Sequence, residues 1–405
     1  MIRAYKFLMR PTVGQQAALG EMLRDHCSLY NGALQERRDA YRHASKTSIT
    51  YGQQSAQLRE IRAFDPERQG RWSFSSQQAT LRRLEKAFAA FFRRVKSGQT
   101  PGHPRFRGVN WFDTVDFPKD GDGCRWNSTP HDPVTRVRFQ GVGHIKVNQH
   151  RPVAGTVKTV SVKREGRRWY VVLTAEQTKP QPLPPTGSMV GIDMGIANFL
   201  AGSGGEFVPG PRHGRRAAAK LEAAQQALSR FPRVSRDKRT ANHRRAVDKV
   251  AGLHRKVRLQ RLDHAHKTAL DLVRKHDVIA HEDLKIRSMV KAPAPKPDPG
   301  RPGGFLPNGA AAKTGLYRSI SDAGWGGVFL TILHAKAESA GRELIAVGPR
   351  NTSRTCPTCG HVSAESRPTQ EKFHCVSCGH SAHADMVGAL NVLRAGLVRR
   401  DAQPA

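Results

Sequence analysis

The sequence predicts an α+β protein of several domains, and three observations predict it. Strand signals and helix signals come in alternating blocks, divided by a Pro-rich linker over 181–187. Four cysteines near the C-terminus, Cys356, Cys359, Cys375 and Cys378, form two Cys-x-x-Cys pairs with metal-knuckle spacing. Three acids, Asp193, Glu282 and Asp385, each sit where an apolar element begins or ends.

The elements follow in order. Residues 1–13 predict an edge strand ending at Pro11. Residues 14–44 carry Leu19, Met22, Leu23, Cys27, Tyr30 and Leu34 at three- and four-residue steps, one face of a helix. Residues 75–96 predict a second helix, capped by Ser75 or Ser76, with a stripe from Leu81 to Val95. Its other face carries Arg82, Arg83, Lys86, Arg93 and Arg94, a solvated face or a phosphate-contacting one. The run from Gly98 to Arg107 breaks the helix. Short strands are expected at 137–139 and 144–147, then a hairpin of 157–163 and 169–174 turning at Glu165-Gly166-Arg167. After the linker come an apolar strand at 189–193, two basic antiparallel helices over 215–276 joined near Pro232, and a buried strand at 278–280. Residues 292–312 read as a mobile Pro/Gly-rich loop. A helix at 325–340, a strand at 344–347 and a final helix from about Asp385 to Val398 complete the chain.

The 405 residues suffice for two to four cores. The 67 basic residues against 33 acidic ones leave a net charge of +34, which a polyanion would neutralise. No signal peptide, lipidation motif or run of about twenty apolar residues is present. Cys27 and Cys124 stand alone, as in a reducing compartment. The expectation is a cytoplasmic protein that binds no membrane.

Four thiolates close a tetrahedral Zn²⁺ site and leave no open position, so zinc is expected to be structural. His361, His374, His380 and His383 crowd the cysteines but are surplus to that site. Trp111, Trp126, Trp169 and Trp325 could stack on bases, with core packing the plainer expectation. The three acids suit a different metal. Phosphodiester cleavage uses a nucleophilic water and a stabilised leaving oxygen, which two divalent ions held by carboxylates provide. Mg²⁺ prefers such oxygen ligands. Acids at the ends of adjacent strands would converge in a ribonuclease-H-like sheet, although a lone Asp after a strand is often only a turn residue.

Across its whole length the chain resembles TnpB, the RNA-guided nuclease family of certain bacterial insertion sequences, related to compact type V CRISPR effectors. The resemblance rests on Pro11–Gln16, Tyr30–Leu34, Pro101–Arg107, Gly191-Ile192-Asp193-Met194-Gly195, Glu282-Asp283-Leu284, Arg318–Trp325, Asn351–Cys356 and Ala384–Asn391. It implies a wedge β-barrel with an inserted helical recognition domain, then a RuvC nuclease domain with an inserted four-cysteine zinc ribbon that binds target nucleic acid. The implied bounds are wedge 1–13 and 100–184, recognition 14–99, RuvC 185–354 and 380–405, and ribbon 355–379. The 185–354 part would carry a basic helical insertion. The resemblance implies that Asp193, Glu282 and Asp385 are the Mg²⁺-binding catalytic triad. The partners would be a guide RNA from the protein's own locus and a double-stranded DNA target beside a short recognised motif. Base pairing would read the sequence while arginines hold the backbone.

Two departures stand out. His383-Ala384-Asp385 replaces the family's common D-R-D, and Val387-Gly388 replaces a more usual Asn-Ala pair. Rival readings are an RNA-guided repressor that binds without cutting, a strand-joining transposase, and a protein-only DNA binder. Retention of all three acids favours a nuclease, the RNA-handling half argues against a transposase, and no helix-turn-helix signature supports the last.

Overall fold

The computed structural model describes residues 2–126, 134–177, 182–235 and 238–402. Two compact units result, Met1–Lys179 and Pro180–Ala405. Parts of the expected second wedge segment, 127–133 and 178–181, lie outside the described residues, as does the first residue of the expected linker.

In the first unit, β1 (Ile2–Arg10) is followed by α1 (Val13–Arg42), α2 (Tyr51–Phe64) and α3 (Phe74–Lys96). Then come β2 (Thr114–Phe117), β3 (Cys124–Trp126), β4 (Arg136–Phe139), β5 (Gly143–Asn148), β6 (Thr156–Glu165) and β7 (Arg168–Glu176). The strands form one sheet in the order β2-β6-β7-β1-β5-β4-β3. The expected barrel is therefore an open half-barrel, its ends at β2 and β3. β1 is not an edge strand: it pairs antiparallel with β7 on one side and β5 on the other. Its place at the start of the chain misled, because the three helices after it return the chain to both of its sides. Alternate residues Tyr5, Phe7 and Met9 are buried, the period-two pattern of a strand with one face on the core. The β6–β7 hairpin turns at Gly166-Arg167, with Gly166 at φ +62, where a side chain would be strained.

The α1 face expected from spacing is buried, from Leu19 to Leu34, and a Thr12/Gln15 capping box starts the helix. The cap of α3 is Ser73, not Ser75 or Ser76. Its apolar stripe is fully buried only at Leu81 and Leu84, Phe88 packs half-buried against the core, and Phe92 and Val95 emerge into solvent. Arg83 on the opposite face turns inward, donating to the Thr114 carbonyl at 3.2 Å and lying over Phe112. The short helix α2 had too few apolar residues to be legible. It is held by a Thr50/Gln53 capping box, by Leu58 buried in the core, and by buried Gln54, which donates to the Ala33 carbonyl and Glu36. Trp169 and Trp325 are core residues and Trp126 stacks on Phe7, but Trp111 is 81% exposed. Its neighbour Phe112 takes the core position, so the adjacent indole points out.

The second unit is built on β8 (Met189–Asp193), β9 (Asn198–Gly202), β10 (Phe207–Pro209), β11 (Val278–Glu282) and β14 (Glu343–Val347). Their order is β10-β9-β8-β11-β14, with β8, β11 and β14 mutually parallel and the β8–β9–β10 meander antiparallel. Parallel strands need covered faces, and β11 accordingly reads as an unbroken buried run. The basic helices α4 (His213–Ser229) and α5 (Ala241–Lys275) form the expected antiparallel pair before β11. One sheet face carries Ala265, Ala269, Leu272 and Val273 of α5, and Leu333 and Ala337 of α8 (Thr331–Ala340). A six-residue π-helical turn, Trp325–Leu330, leads into α8.

The other face carries the last helix, α9 (Ala384–Asp401). The expected loop at 292–312 is not featureless. After α6 (Ile286–Met289), β12 (Lys296–Pro297) and β13 (Phe305–Leu306) form a two-residue ladder, and α7 (Ala310–Ala323) begins inside it. The remaining strands, β15 (Lys372–His374) and β16 (Ser381–His383), pair just before α9.

Candidate active site

The parallel register brings two of the predicted acids together. Ile192 of β8 stands opposite His281 of β11, so Asp193 and Glu282, one residue further on, lie side by side at the same strand end. The third acid comes from α9. Its N-cap is His383, whose Nδ1 accepts the Asp385 backbone N–H at 3.2 Å and places Asp385 in the first turn.

Close packing sets that helix over β8. A side-chain carbon on Gly191 would lie 2.1 Å from the Ala389 carbonyl oxygen, and one on Gly388 would lie 2.9 Å from Asp193 Oδ2. Gly388, one of the departures from the family pattern, thus leaves room for the Asp193 carboxylate. Ala384, another departure, is buried with Cys356, Phe373, Cys375 and Val387, so a small residue there seats the start of α9 on the cysteine segment.

Burial and the neighbouring charges of Glu282 and Asp385 push the Asp193 carboxyl up to about 7. Glu282 is also raised by burial, against the opposing pull of a hydrogen bond from Thr352 Oγ1 to Glu282 Oε1 at 2.6 Å. Two adjacent carboxylates raised in this way, Asp193 and Glu282, favour protons or cations at this strand end. The three acids are spread more widely than the four cysteines, the group among the described residues whose donor atoms all lie within 4.8 Å of one another.

Two residues of this site had no role assigned from the sequence, although one of them, Thr352, belongs to a stretch that carries the resemblance. Thr352 lies in the Asn-Thr-Ser-Arg-Thr run and is tied to α9 through Asn391 Nδ2, which donates to the Thr352 and Thr355 carbonyls at 2.8 and 2.7 Å. Arg367 reaches in from between the cysteine pairs, its Nη2 3.6 Å from Asp385 Oδ1. Nothing in a chain with 67 basic residues marks this one.

The cysteines form two matching knuckles. Cys356 N–H donates to the His361 carbonyl and Cys375 N–H to the His380 carbonyl, both at 2.8 Å. Gly360 and Gly379 turn each knuckle at φ +77 and +72. Sγ–Sγ separations are 3.6 Å for Cys356–Cys378 and for Cys359–Cys375. A tetrahedron with Zn–S bonds of about 2.3 Å has sulfur edges of about 3.8 Å, so the four thiols fit one zinc ion. His374 and His361 stay exposed, outside this set.

Three family profiles match the chain: "Probable transposase" (OrfB of IS605) over 171–292, "Cas12f1-like, TNB domain" over 327–392, and "Helix-turn-helix domain" over 1–46. The last label does not describe this fold, since 2–46 hold one strand and one uninterrupted 30-residue helix. Two relatives span nearly the whole chain. "Putative RNA-guided DNA endonuclease InsQ" of Escherichia coli K12 is 31% identical over 98% of this chain and 92% of its own length. "Putative RNA-guided DNA endonuclease" of Streptomyces pristinaespiralis is 31% identical over 98% and 89%. Among solved structures, the Cas12f1–sgRNA–target DNA complex matches 92% of this chain and 81% of its own with a TM-score of 0.53 and 14% identity. At that identity the likeness is one of fold.

Proposed function

The chain belongs to the TnpB-like OrfB family of RNA-guided DNA endonucleases, and from that premise we propose how its own residues divide the work. The protein binds a guide RNA and cuts the DNA that the guide selects. The half-barrel sheet, over 1–13 and 100–184, is the wedge, and the helices of 14–99 are the recognition domain. Residues 185–354 and 380–405 form the RuvC domain, a reading supported by the 10-9-8-11-14 strand order with acids at the shared end of β8 and β11. Residues 355–379 form a zinc ribbon, supported by the four-sulfur geometry.

The observation that carries the catalytic assignment is the convergence of Asp193, Glu282 and Asp385, separated by about ninety to a hundred residues each, on one end of the sheet. These three carboxylates would hold Mg²⁺. When bound, the ions lower the pKa of water and stabilise charge on the phosphate oxygens. Thr352 orients the Glu282 carboxylate through its hydroxyl. Arg367 stands where a phosphodiester approaching Asp385 would meet a guanidinium, the group best matched to phosphate geometry. Cys356, Cys359, Cys375 and Cys378 would hold Zn²⁺, which fixes the ribbon that presents Arg367. Guide pairing supplies specificity, and the excess of basic residues holds the nucleic-acid backbones.

The test uses the protein expressed with its flanking locus. The co-purified RNA is sequenced, and the complex is incubated with plasmids carrying the guide's target beside randomised flanks, in Mg²⁺ or EDTA. Mg²⁺-dependent loss of one flank class is expected, with Asp193→Ala abolishing the loss while guide RNA stays bound. Guided DNA retention with no cutting would establish the repressor reading instead.

A further inference from the structure

We propose that a cavity in the second unit, beside the acids, receives one unpaired nucleotide of the DNA strand being cut. This rests on the nuclease reading above and adds a binding subsite to it. The cavity has a volume of about 690 Å³ and lies between the β8–β9 turn, the start of α4 and helix α7. Ligand pockets run from roughly 300 to 1,000 Å³, so a base with its sugar can enter.

Its position ties it to the cut. Gly195 lines the cavity, and a side-chain carbon on Gly195 would stand 3.7 Å from Asp385 Oδ2. A strand whose phosphate reaches Asp385 therefore has a neighbouring nucleotide at the cavity mouth. The lining has the two chemistries that a nucleotide requires. Ile196 and the buried ring of Phe199 give an apolar wall. That ring is fixed edge-on against Phe329 at 4.9 Å and His264 at 4.7 Å.

The rim is cationic. Arg212, Arg215 and Arg318 line the cavity as exposed residues. Arg212 holds φ +49 and ψ +45, a conformation arginine seldom adopts, at the step where the chain enters α4. The α4 N-terminus itself is not the anion site. Asp322 of α7 already accepts the Gly214 and Arg215 N–H groups at 2.7 and 3.0 Å and pairs with Arg261 at 2.7 Å. The guanidiniums on the rim remain for phosphate, and the apolar wall remains for a base.

The experiment uses the full chain with its guide RNA. Single abasic nucleotides, which keep the phosphate and remove the base, are stepped along the cut strand. One position near the cut should slow cleavage roughly tenfold, the scale of one base–side-chain packing contact. Ala218→Phe, which fills the cavity from an exposed position of α4, should slow cleavage of ordinary DNA by a similar factor and leave guide-dependent DNA retention unchanged. The abasic substitution should then add no further loss to that variant, because both remove one interaction. Undiminished cleavage by folded Ala218→Phe, or additive losses, overturns the subsite. If the variant does not fold, the unaltered chain decides: an abasic scan with no sensitive position overturns the proposal. If the unaltered chain cuts no DNA with any guide, the nuclease reading fails, a result distinct from normal cutting that ignores the cavity.

Discussion

Arg367 Nη2 lies 3.6 Å from Asp385 Oδ1, so the segment between the two cysteine pairs contributes a cation to the carboxylate cluster it adjoins. The arginine is held from behind as well, donating to the Gln370 carbonyl at 3.1 Å. Its charge opposes the mutual repulsion of the acids and offers a fixed partner for phosphate. Arg367→Ala is expected to lower the cleavage rate by about 10²-fold, the scale of losing one preorganised charge-stabilising donor, while guided DNA binding persists. Arg367→Lys keeps the charge without the fork and should recover only part of the rate. Single-turnover cleavage beside a DNA retention assay measures both.

Thr352 tunes the site from beneath. Its hydroxyl donates to Glu282, which burial otherwise pushes upward, and Asp193 stands at about 7. In the proposed site both acids would have to be ionised to hold Mg²⁺, so the competent form would be present above these raised values and lost as pH falls through them. More Mg²⁺ should be needed for half-maximal cleavage at about pH 6 than at about pH 8. Thr352→Val removes the hydroxyl and should move that transition to higher pH. A pH series of Mg²⁺ titrations, with an unchanged transition in the variant, would show that the hydroxyl does not set it.

What the sequence made legible followed physical periodicity. β8 and β11 showed as apolar runs, α1 as a stripe from Leu19 to Leu34, and the knuckles as cysteine spacing. The acids showed because each ends or begins such an element. Other features depend on tertiary contact and have no local signature. The α2 helix buries only Leu58 and Gln54, and the Gln54 contact to the Ala33 carbonyl exists only once α1 lies beside it. The central position of β1 is decided by strands more than a hundred residues away. Arg367 becomes part of the site only because the ribbon returns the chain to the start of α9. The role of Ala384 is visible only once its burial against Cys356 and Phe373 is known.

The ribbon should couple zinc to cutting. Cys375 is buried among Phe373, Ala384 and Val387, so the thiolates and the start of α9 share one small core. A segment this short has little apolar area of its own, so zinc held as proposed by the four sulfurs would supply much of its folding free energy. Cys375→Ser is expected to lose the zinc and to depress cleavage at least as strongly as Arg367→Ala, since it releases that arginine too. Guide RNA retention should persist if the first unit holds the RNA. Zinc content measured beside bound RNA and cleavage rate checks this, and full zinc occupancy in the variant would remove the four-sulfur assignment.

The last prediction concerns stability rather than chemistry. His26 is fully buried in α1, its Nδ1 donating to the Met22 carbonyl and its Nε2 meeting Ser76 Oγ, each at 2.8 Å. Burial lowers its pKa from the usual 6.5 to about 4. Above pH 6.5 the ring is neutral in both the folded and unfolded chains, and its titration costs nothing. Between 6.5 and 4 the unfolded chain takes up the proton and the folded one does not, so stability falls as pH falls. Integrated to pH 5, the loss is about 2 kcal/mol relative to pH 7. The urea midpoint of the unfolding transition that reports the first unit should therefore drop between about pH 7 and about pH 5. His26→Gln, which cannot titrate, should be less stable at neutral pH, having lost well-packed contacts, but should show a smaller drop over the same interval. Equal drops in the two proteins would show that His26 does not set the acid sensitivity of the first unit.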